Sequence, residues 1–288
     1  MAGEFVTGPG LIQFRDLVLG PDPLRWRGLE GWQELPSSDD ASAPRSGQHG
    51  TLPGPLLAQA RTVTLDVLMR VAGDPGAVVD RIERATALVD DETPLVVWLD
   101  SRGPRMVFGR VVRCRIPVDR AYRIGTVVGI PIQWSCSDPR RYGLAEQSAV
   151  TGLPQAEGGL TFPLTFPLDW GTPAVSGTLT AVNSGYAPTS PIVEFVGPVD
   201  TPAMVRLSDG TRLEYDLVLG AGETLTVDTR SQSVRLAGAD RLYTATSRSV
   251  PEEWFRLEPG ATDLAFRAAP GSTDPAASMT VRWRSAYW

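Results

Sequence analysis

Residues 61–70, Arg-Thr-Val-Thr-Leu-Asp-Val-Leu-Met-Arg, restrict what this chain can fold into more than any other stretch. Val63, Leu65, Val67 and Met69 point one way along an extended backbone, and Thr62, Thr64, Asp66 and Arg70 point the other. That period of two is the signature of a half-buried β-strand, because a helix would scatter the same apolar set around its axis. The strand is preceded by a polar run, Pro36-Ser-Ser-Asp-Asp-Ala-Ser-Ala-Pro-Arg-Ser-Gly-Gln-His-Gly50. Connections inside compact domains are usually ~4–6 residues long, so this run reads as an arm rather than a link. Long loops on a rigid β framework are where function concentrates. The run holds no catalytic grouping, and we expect it to be a contact arm for a partner.

The rest of the first half is β with one helix. Leu11–Leu19 reads as a strand closed by the turn Gly20-Pro-Asp-Pro23. Asp74 as N-cap, Pro75 at the first helical position and the stripe Val78, Val79, Ile82, Ala85 and Val89 predict a helix over 75–91, stopped by Pro94. Strands follow at Pro94–Asp100 and Met106–Ile116. A last one carries Ile124, Thr126, Val128, Ile130, Ile132 and Trp134 on one face.

Gln147–Gly159 is small, polar and Gly-rich, as a linker is. The Pro-containing repeat Leu160–Leu168 suits an edge or bridging segment. The expected organisation is a first domain over 1–145, a bridging segment over 146–173 and a second domain over 174–288. Beyond Ala174 every segment reads β. Turn signals recur every ~8–12 residues, as in an antiparallel sandwich, and Asp209-Gly210 suggests a type I′ hairpin.

Charge narrows the function. The net charge is −6, and the first 150 residues carry 17 Arg against 18 acids. Neither half has the basic excess that gripping a phosphate backbone requires. The basic residues are all Arg, as in a GC-rich coding sequence. Cys114 and Cys136 fall in strands and read as buried free thiols. No apolar run approaches the ~18 residues of a membrane span. The N-terminus has no secretory pattern, so synthesis in a cytoplasm is expected.

The search for chemistry returns little. His49 is the one histidine, so any Ser–His–Asp triad would need it, yet the arm gives Ser46 and Asp39 or Asp40 no scaffold. One His and two separated Cys cannot make a usual zinc set, and Asp39-Asp40 and Asp90-Asp-Glu92 lack the spacing of a calcium loop. Glu194 reads as an exposed residue on an edge strand. Among eight tryptophans, Trp98 and Trp134 fit a core, and Trp170 and Trp288 fit exposed contact. We therefore expect no enzyme, cofactor or metal. Subunit contacts are assigned to Asp39, Asp40, Arg45, His49, Arg61, Trp170 and Trp288. Two other readings stand beside this one: a carbohydrate-binding β protein using Trp170 or Trp288, and a carboxylate hydrolase.

Several segments, taken in order, carry a resemblance. They are Gln48-His-Gly50, Ala60–Leu65, the helix, Pro94-Leu-Val-Val-Trp-Leu99, Gly109-Arg-Val-Val112, Gln133-Trp-Ser-Cys-Ser-Asp-Pro139 with Tyr142, and Ala181–Ile192 with Gly197-Pro198. Together they resemble the distal tail proteins of long-tailed bacteriophages. The resemblance implies an N-terminal split-barrel-like β domain with one helix and a C-terminal galectin-like β-sandwich. It implies a hexameric ring at the tail tip of the virion, joining the tail tube protein to the tail-tip hub protein. Its lumen would pass the tape-measure protein and, in transit only, DNA.

Overall fold

The computed structural model describes residues 2–155 and 176–288. The chain divides into two compact units, one running to Leu144 and including Trp288, the other spanning Ala145–Tyr287. The described residues are mainly β, in antiparallel pairings, with one α-helix. The repeat at 160–168 and Trp170 lie outside the described residues.

The first unit contains β1 (Leu11–Phe14), β2 (Leu17–Leu19), β3 (Leu24–Glu30), β4 (Ser38–Asp40), β5 (Ala43–Pro44), β6 (Thr51–Leu52), β7 (Leu56–Ala58), β8 (Arg61–Arg70), α1 (Gly76–Ala85), β9 (Thr93–Trp98), β10 (Arg105–Cys114), β11 (Thr126–Cys136) and β12 (Arg141–Gly143). Its main sheet runs β2-β1-β9-β10-β11-β8-β3. The alternation in β8 holds: Val63, Leu65, Val67 and Met69 are wholly buried. They share a core with Phe14 and Trp134, whose rings meet edge to face at 5.4 Å.

The stretch Leu11–Leu19 is a hairpin rather than one strand, with Phe14 opposite Leu17 and Arg15 at φ 54 in the left-handed region. The Arg15 guanidinium donates to the Ala85 carbonyl at 3.1 Å, so a cation sits at the C-terminus of α1, where the helix dipole favours it. The helix is shorter than expected. It starts at Gly76, with Asp74 Oδ1 accepting from the Gly76 N–H at 3.1 Å, and ends at Ala85. Val89 is exposed, so its apolar spacing continues past the last helical hydrogen bond without burying anything.

The single face predicted for residues 124–134 is broken. Val127 and Ile130 are both buried while Val128 is exposed, and the register against β8 shifts between Val127 and Ile130. Gly129 takes φ 75 there, a β-bulge that inserts a residue and flips the parity of everything before it.

At Gly109 strand β10 changes partner: Arg105–Gly109 pair with β9 and Arg110–Cys114 with β11. A Cβ on Gly109 would stand 2.7 Å from Cys136 Sγ and 3.2 Å from the Ser135 carbonyl oxygen. Gly109→Ala should therefore cost about 1–3 kcal/mol, the usual range for overpacking, read as a lower urea midpoint with an unchanged slope. An unchanged midpoint would show that the corner relaxes freely.

The second unit contains β13 (Gln147–Gly152), β14 (Thr178–Asn183), β15 (Ile192–Val196), β16 (Val199–Asp200), β17 (Ala203–Arg206), β18 (Arg212–Glu214), β19 (Val218–Leu219), β20 (Thr224–Asp228), β21 (Ser233–Leu236), β22 (Ala239–Asp240), β23 (Gly260–Arg267), β24 (Ser278–Trp283) and β25 (Ala286–Tyr287). One sheet runs β13-β24-β15-β20-β21-β22 and a second runs β14-β23-β17-β18. Val193, Phe195 and Met279 of the first share a core with Leu179, Met204 and Phe266 of the second. Gln147–Gly152, expected as linker, is instead an edge strand paired residue for residue with β24. The hairpin at Asp209-Gly210 exists, but Gly210 alone has positive φ, so the turn is not type I′. Asp209 Oδ1 accepts from the Thr211 N–H, which stabilises a longer five-residue loop between β17 and β18.

The segment 181–192 turns on a buried asparagine. Asn183 Nδ2 donates to the carbonyls of Ala187 and Leu257, and its Oδ1 accepts from the N–H groups of Gly185 and Ala286. A satisfied buried amide of this kind fixes one corner geometry.

Candidate functional site

The polar run folds back on itself as a hairpin arm, not an open loop. Strand β4 pairs with β7 and β5 with β6, and at the tip the Arg45 N–H donates to the Gly50 carbonyl at 3.1 Å. Sequence alternation could not show this, because both faces are solvated and carry no apolar period. Side chains brace the ladder. Asp40 Oδ1 accepts from the Ser42 N–H at 3.0 Å and from the Ser42 hydroxyl, while Ser42 Oγ accepts from the Gly54 N–H. Asp39 Oδ1 accepts from Gln59 Nε2 at 2.7 Å. Asp39 and Asp40 are exposed yet partly committed within the arm. Arg45 and His49 are exposed at its tip.

The arm also carries a feature that the sequence reading missed. Leu52, Leu56 and Leu57 are 54%, 69% and 64% exposed. A two-stranded arm cannot bury its own leucines, and exposed apolar groups gathered on one projection mark contact surfaces.

Arg61 stands apart from the other predicted contact residues. It is 2% exposed, so it is not a surface contact. Its Nε donates to the Pro139 carbonyl at 2.7 Å, and its Nη1 donates to the carbonyls of Gly31 at 2.6 Å and Glu34 at 2.7 Å. The Gly31 and Glu34 carbonyls lie just before the arm and Pro139 lies after β11, so Arg61 ties the arm's root to the rest of the unit. Trp288 is half-buried, with its main-chain oxygen accepting from Arg141. Trp254, at 69%, is the tryptophan that is strongly exposed among those described.

A second surface of the first unit is a groove of about 480 Å³ between the end of α1 and β10, with polar and apolar lining in similar measure, Glu83, Thr86 and Arg113 among the polar residues. Val79, Leu88, Val112, Ile116 and Tyr122 line it. Cys114 also lines the groove; it is half-buried rather than buried, and burial pushes its thiol above the usual value. Arg110, Arg113, Arg115, Arg120 and Arg123 are exposed along the same stretch, against the single acid Asp119.

Glu194 and Glu92 each have a structural partner. Glu194 lies on a central strand, not an edge, and accepts from Arg282 Nη2 at 2.5 Å. Glu92 caps the Ser137 N–H and hydroxyl. No group of three His, Cys, Asp or Glu able to hold a metal ion occurs among the described residues. Asp138 accepts from Arg140 Nε at 2.8 Å and from the Tyr142 hydroxyl at 2.5 Å. Burial alone would raise its carboxyl, but the bonds and charge of Arg140, with Tyr142, hold it below the ordinary 3.8. A depressed carboxyl adds stability that is complete above its unfolded value and lost as pH falls through the folded one. Asp138→Asn should therefore flatten the fall in melting temperature below about pH 4, a range set by the ordinary Asp value; an identical pH profile would remove Asp138 from the account.

Residues 184–287 match the family model described as siphovirus-type tail component, C-terminal domain. No curated protein matches the chain. The fold follows that of the solved Dit protein (gp 19.1) of phage SPP1, described as a paradigm of the hub adsorption apparatus in Gram-positive infecting phages. That match has a TM-score of 0.64 at 16% identity, over 96% of this chain and 99% of that one. Two structures of the phage P2 baseplate in its activated conformation, with Ca and with Sr, match with TM-scores of 0.52 and 0.51. Each is 10% identical over 94% of this chain and 96% of that one. These findings bear out the resemblance to distal tail proteins read from the sequence.

Proposed function

We propose that this chain is a structural subunit of the distal tail of a long-tailed bacteriophage. Six copies close a ring that joins the tail tube to the tail-tip hub and leaves a lumen for the tape-measure protein and for DNA in transit. The single observation that carries this reading is the arm: a braced hairpin, rooted by Arg61, that holds Leu52, Leu56 and Leu57 away from any core of its own unit. A closed ring repeats one heterologous contact, in which a projection on each copy meets a different surface on the next. The groove between α1 and β10, where Val79, Leu88, Val112 and Ile116 are part of the lining, is the counterpart surface. Asp39, Asp40, Arg45 and His49 belong to this contact. The net charge of −6 leaves the chain without the basic excess that would hold DNA in transit.

Native mass spectrometry with negative-stain imaging tests the reading. A six-subunit ring with a central hole is the expected result, for the protein alone or when mixed with the tube subunit. A monomer under both conditions would overturn it.

A further inference from the structure

The outer face of the smaller sheet in the second unit bears a charged groove that has no part in the arm contact proposed above. Met204, Leu213, Leu264 and Phe266 point into the core, so their neighbours on β17, β18 and β23 form the opposite face. The register lays this face out in two rows. Glu214, Ala203 and Arg267 stand side by side, and next to them Arg212, Val205 and Ala265. Each row has a small residue at its centre and charge at the side. The groove has a volume of about 560 Å³, within the range of small-ligand sites. Arg248, from the segment after β22, adds a third guanidinium to its lining.

The charges do not balance. Arg212, Arg248 and Arg267 face the single carboxylate of Glu214. Glu214 is 4% exposed, and its Oε1 accepts from Arg248 Nε at 3.0 Å, Arg248 Nη2 at 2.7 Å and Thr246 Oγ1 at 3.0 Å. Its Oε2 has only the long 3.5 Å contact from Arg212. Burial would raise this carboxyl, but the Arg248 and Thr246 bonds and the Arg248 and Arg212 charges hold it below its ordinary value, so it stays an acceptor. Arg267 Nη1 donates to the Gly177 and Phe266 carbonyls, which holds the side chain over the sheet.

We propose that this groove binds an anionic glycan, a sugar chain bearing carboxylate or phosphate groups, with the oxyanion against the guanidiniums of Arg248 and Arg267 and a ring hydroxyl donating to Glu214. Guanidinium forks match planar and tetrahedral oxyanions. The buried carboxylate selects against a ligand that is anionic throughout, because a bare acidic peptide would face it with like charge. Sugar hydroxyls both donate and accept, which suits a groove holding both functions. Glu214 on β18 and Arg267 on β23 stand two interstrand spacings of ~4.8 Å apart across β17, a width comparable to a pyranose ring. A nucleic acid is disfavoured, since the chain beyond residue 150 carries 10 Arg against 15 acids.

Calorimetric titration of the full chain with an oligogalacturonate and with a phosphorylated mannan oligosaccharide tests the proposal and separates carboxylate from phosphate. Neutral mannan oligosaccharide and hexa-aspartate serve as the comparison ligands. Binding of either anionic glycan is expected, weakened on the order of tenfold at about 1 M salt, where screening is strong. Arg248→Gln should weaken it on the order of tenfold, as loss of one charge-assisted contact does. Val205→Glu, which leaves the Arg248 and Thr246 bonds to Glu214 in place and puts a second carboxylate beside Arg212, should do at least as much, provided both variants melt as the parent does. The proposal is overturned if neither anionic glycan binds, if the neutral one binds equally, if hexa-aspartate binds more tightly, or if both folded variants bind unchanged.

Discussion

Replacing Ser38–Ala58 by a two-glycine turn should abolish ring assembly and leave the first unit folded. The geometry makes this a clean excision. The Gln59 N–H donates to the Ser37 carbonyl at 2.7 Å, so the two ends of the arm already stand side by side. Apart from Ser42 and Gly54, which are half-buried, every residue removed is exposed, so the unit's core loses nothing. The short replacement loop also costs less closure entropy than the segment it replaces. What disappears is the set Leu52, Leu56 and Leu57. Burying a leucine side chain is worth about 1.5–3 kcal/mol, so losing three removes roughly 5 kcal/mol or more from each contact. A loss of that size weakens association by more than about a thousandfold. Because a ring needs every contact at once, the shortened chain should sediment as a monomer while melting like the parent. Leu56→Asp with Leu57→Asp should give the same result without changing chain length. Intact rings from either variant would sink the assignment of the arm to the interface.

How far the sequence could be read depended on which faces are buried. Strand Arg61–Arg70 was legible because one of its faces is dry and the other wet, so its burial pattern follows the alternation residue by residue. The same alternation held more than was taken from it. Arg61 shares parity with Val63, Leu65, Val67 and Met69, so the period that placed the core also pointed this guanidinium inward. Treating it as a surface contact overrode that signal because arginine is rarely buried. Extrapolated parity failed across Val128–Gly129, where a bulge changes the count without changing the composition. The arm's pairing was illegible for the opposite reason: main-chain bonds and short Asp–Ser contacts hold it, and neither leaves a hydrophobic period. The charged groove of the second unit was equally hidden. Arg212, Glu214, Arg248 and Arg267 meet only through strand register and a returning loop, which no local spacing records.

Arg61→Met is the substitution expected to damage the first unit most. Methionine can fill much of the volume, but it has no donor for the carbonyls of Pro139, Gly31 and Glu34. Leaving a buried polar group without its partner costs about 1–3 kcal/mol. Some of these carbonyls lie near the arm's root and can recover water, so a total of roughly 3–5 kcal/mol is expected rather than the full sum. For a unit of this size that corresponds to a fall of about 10 °C in melting temperature. The location of the damage separates this prediction from ordinary core loss. Gly31 has φ 74, and a Cβ there would stand 1.9 Å from the Thr62 carbonyl oxygen, so the turn beside Arg61 is already tightly set. Without the clamp that turn loosens, the arm loses its fixed exit, and residues 34–60 become the first site cut in limited proteolysis. The second unit shares none of these bonds and should keep its own transition. The proposed ring should also weaken in the Arg61→Met chain, although Arg61 is buried in its own unit, because a contact made by a rigid arm is lost when its direction is no longer fixed. A variant that melts as the parent does, with the arm cut no faster, would mean that the root is held by backbone pairing alone and that Arg61 is dispensable.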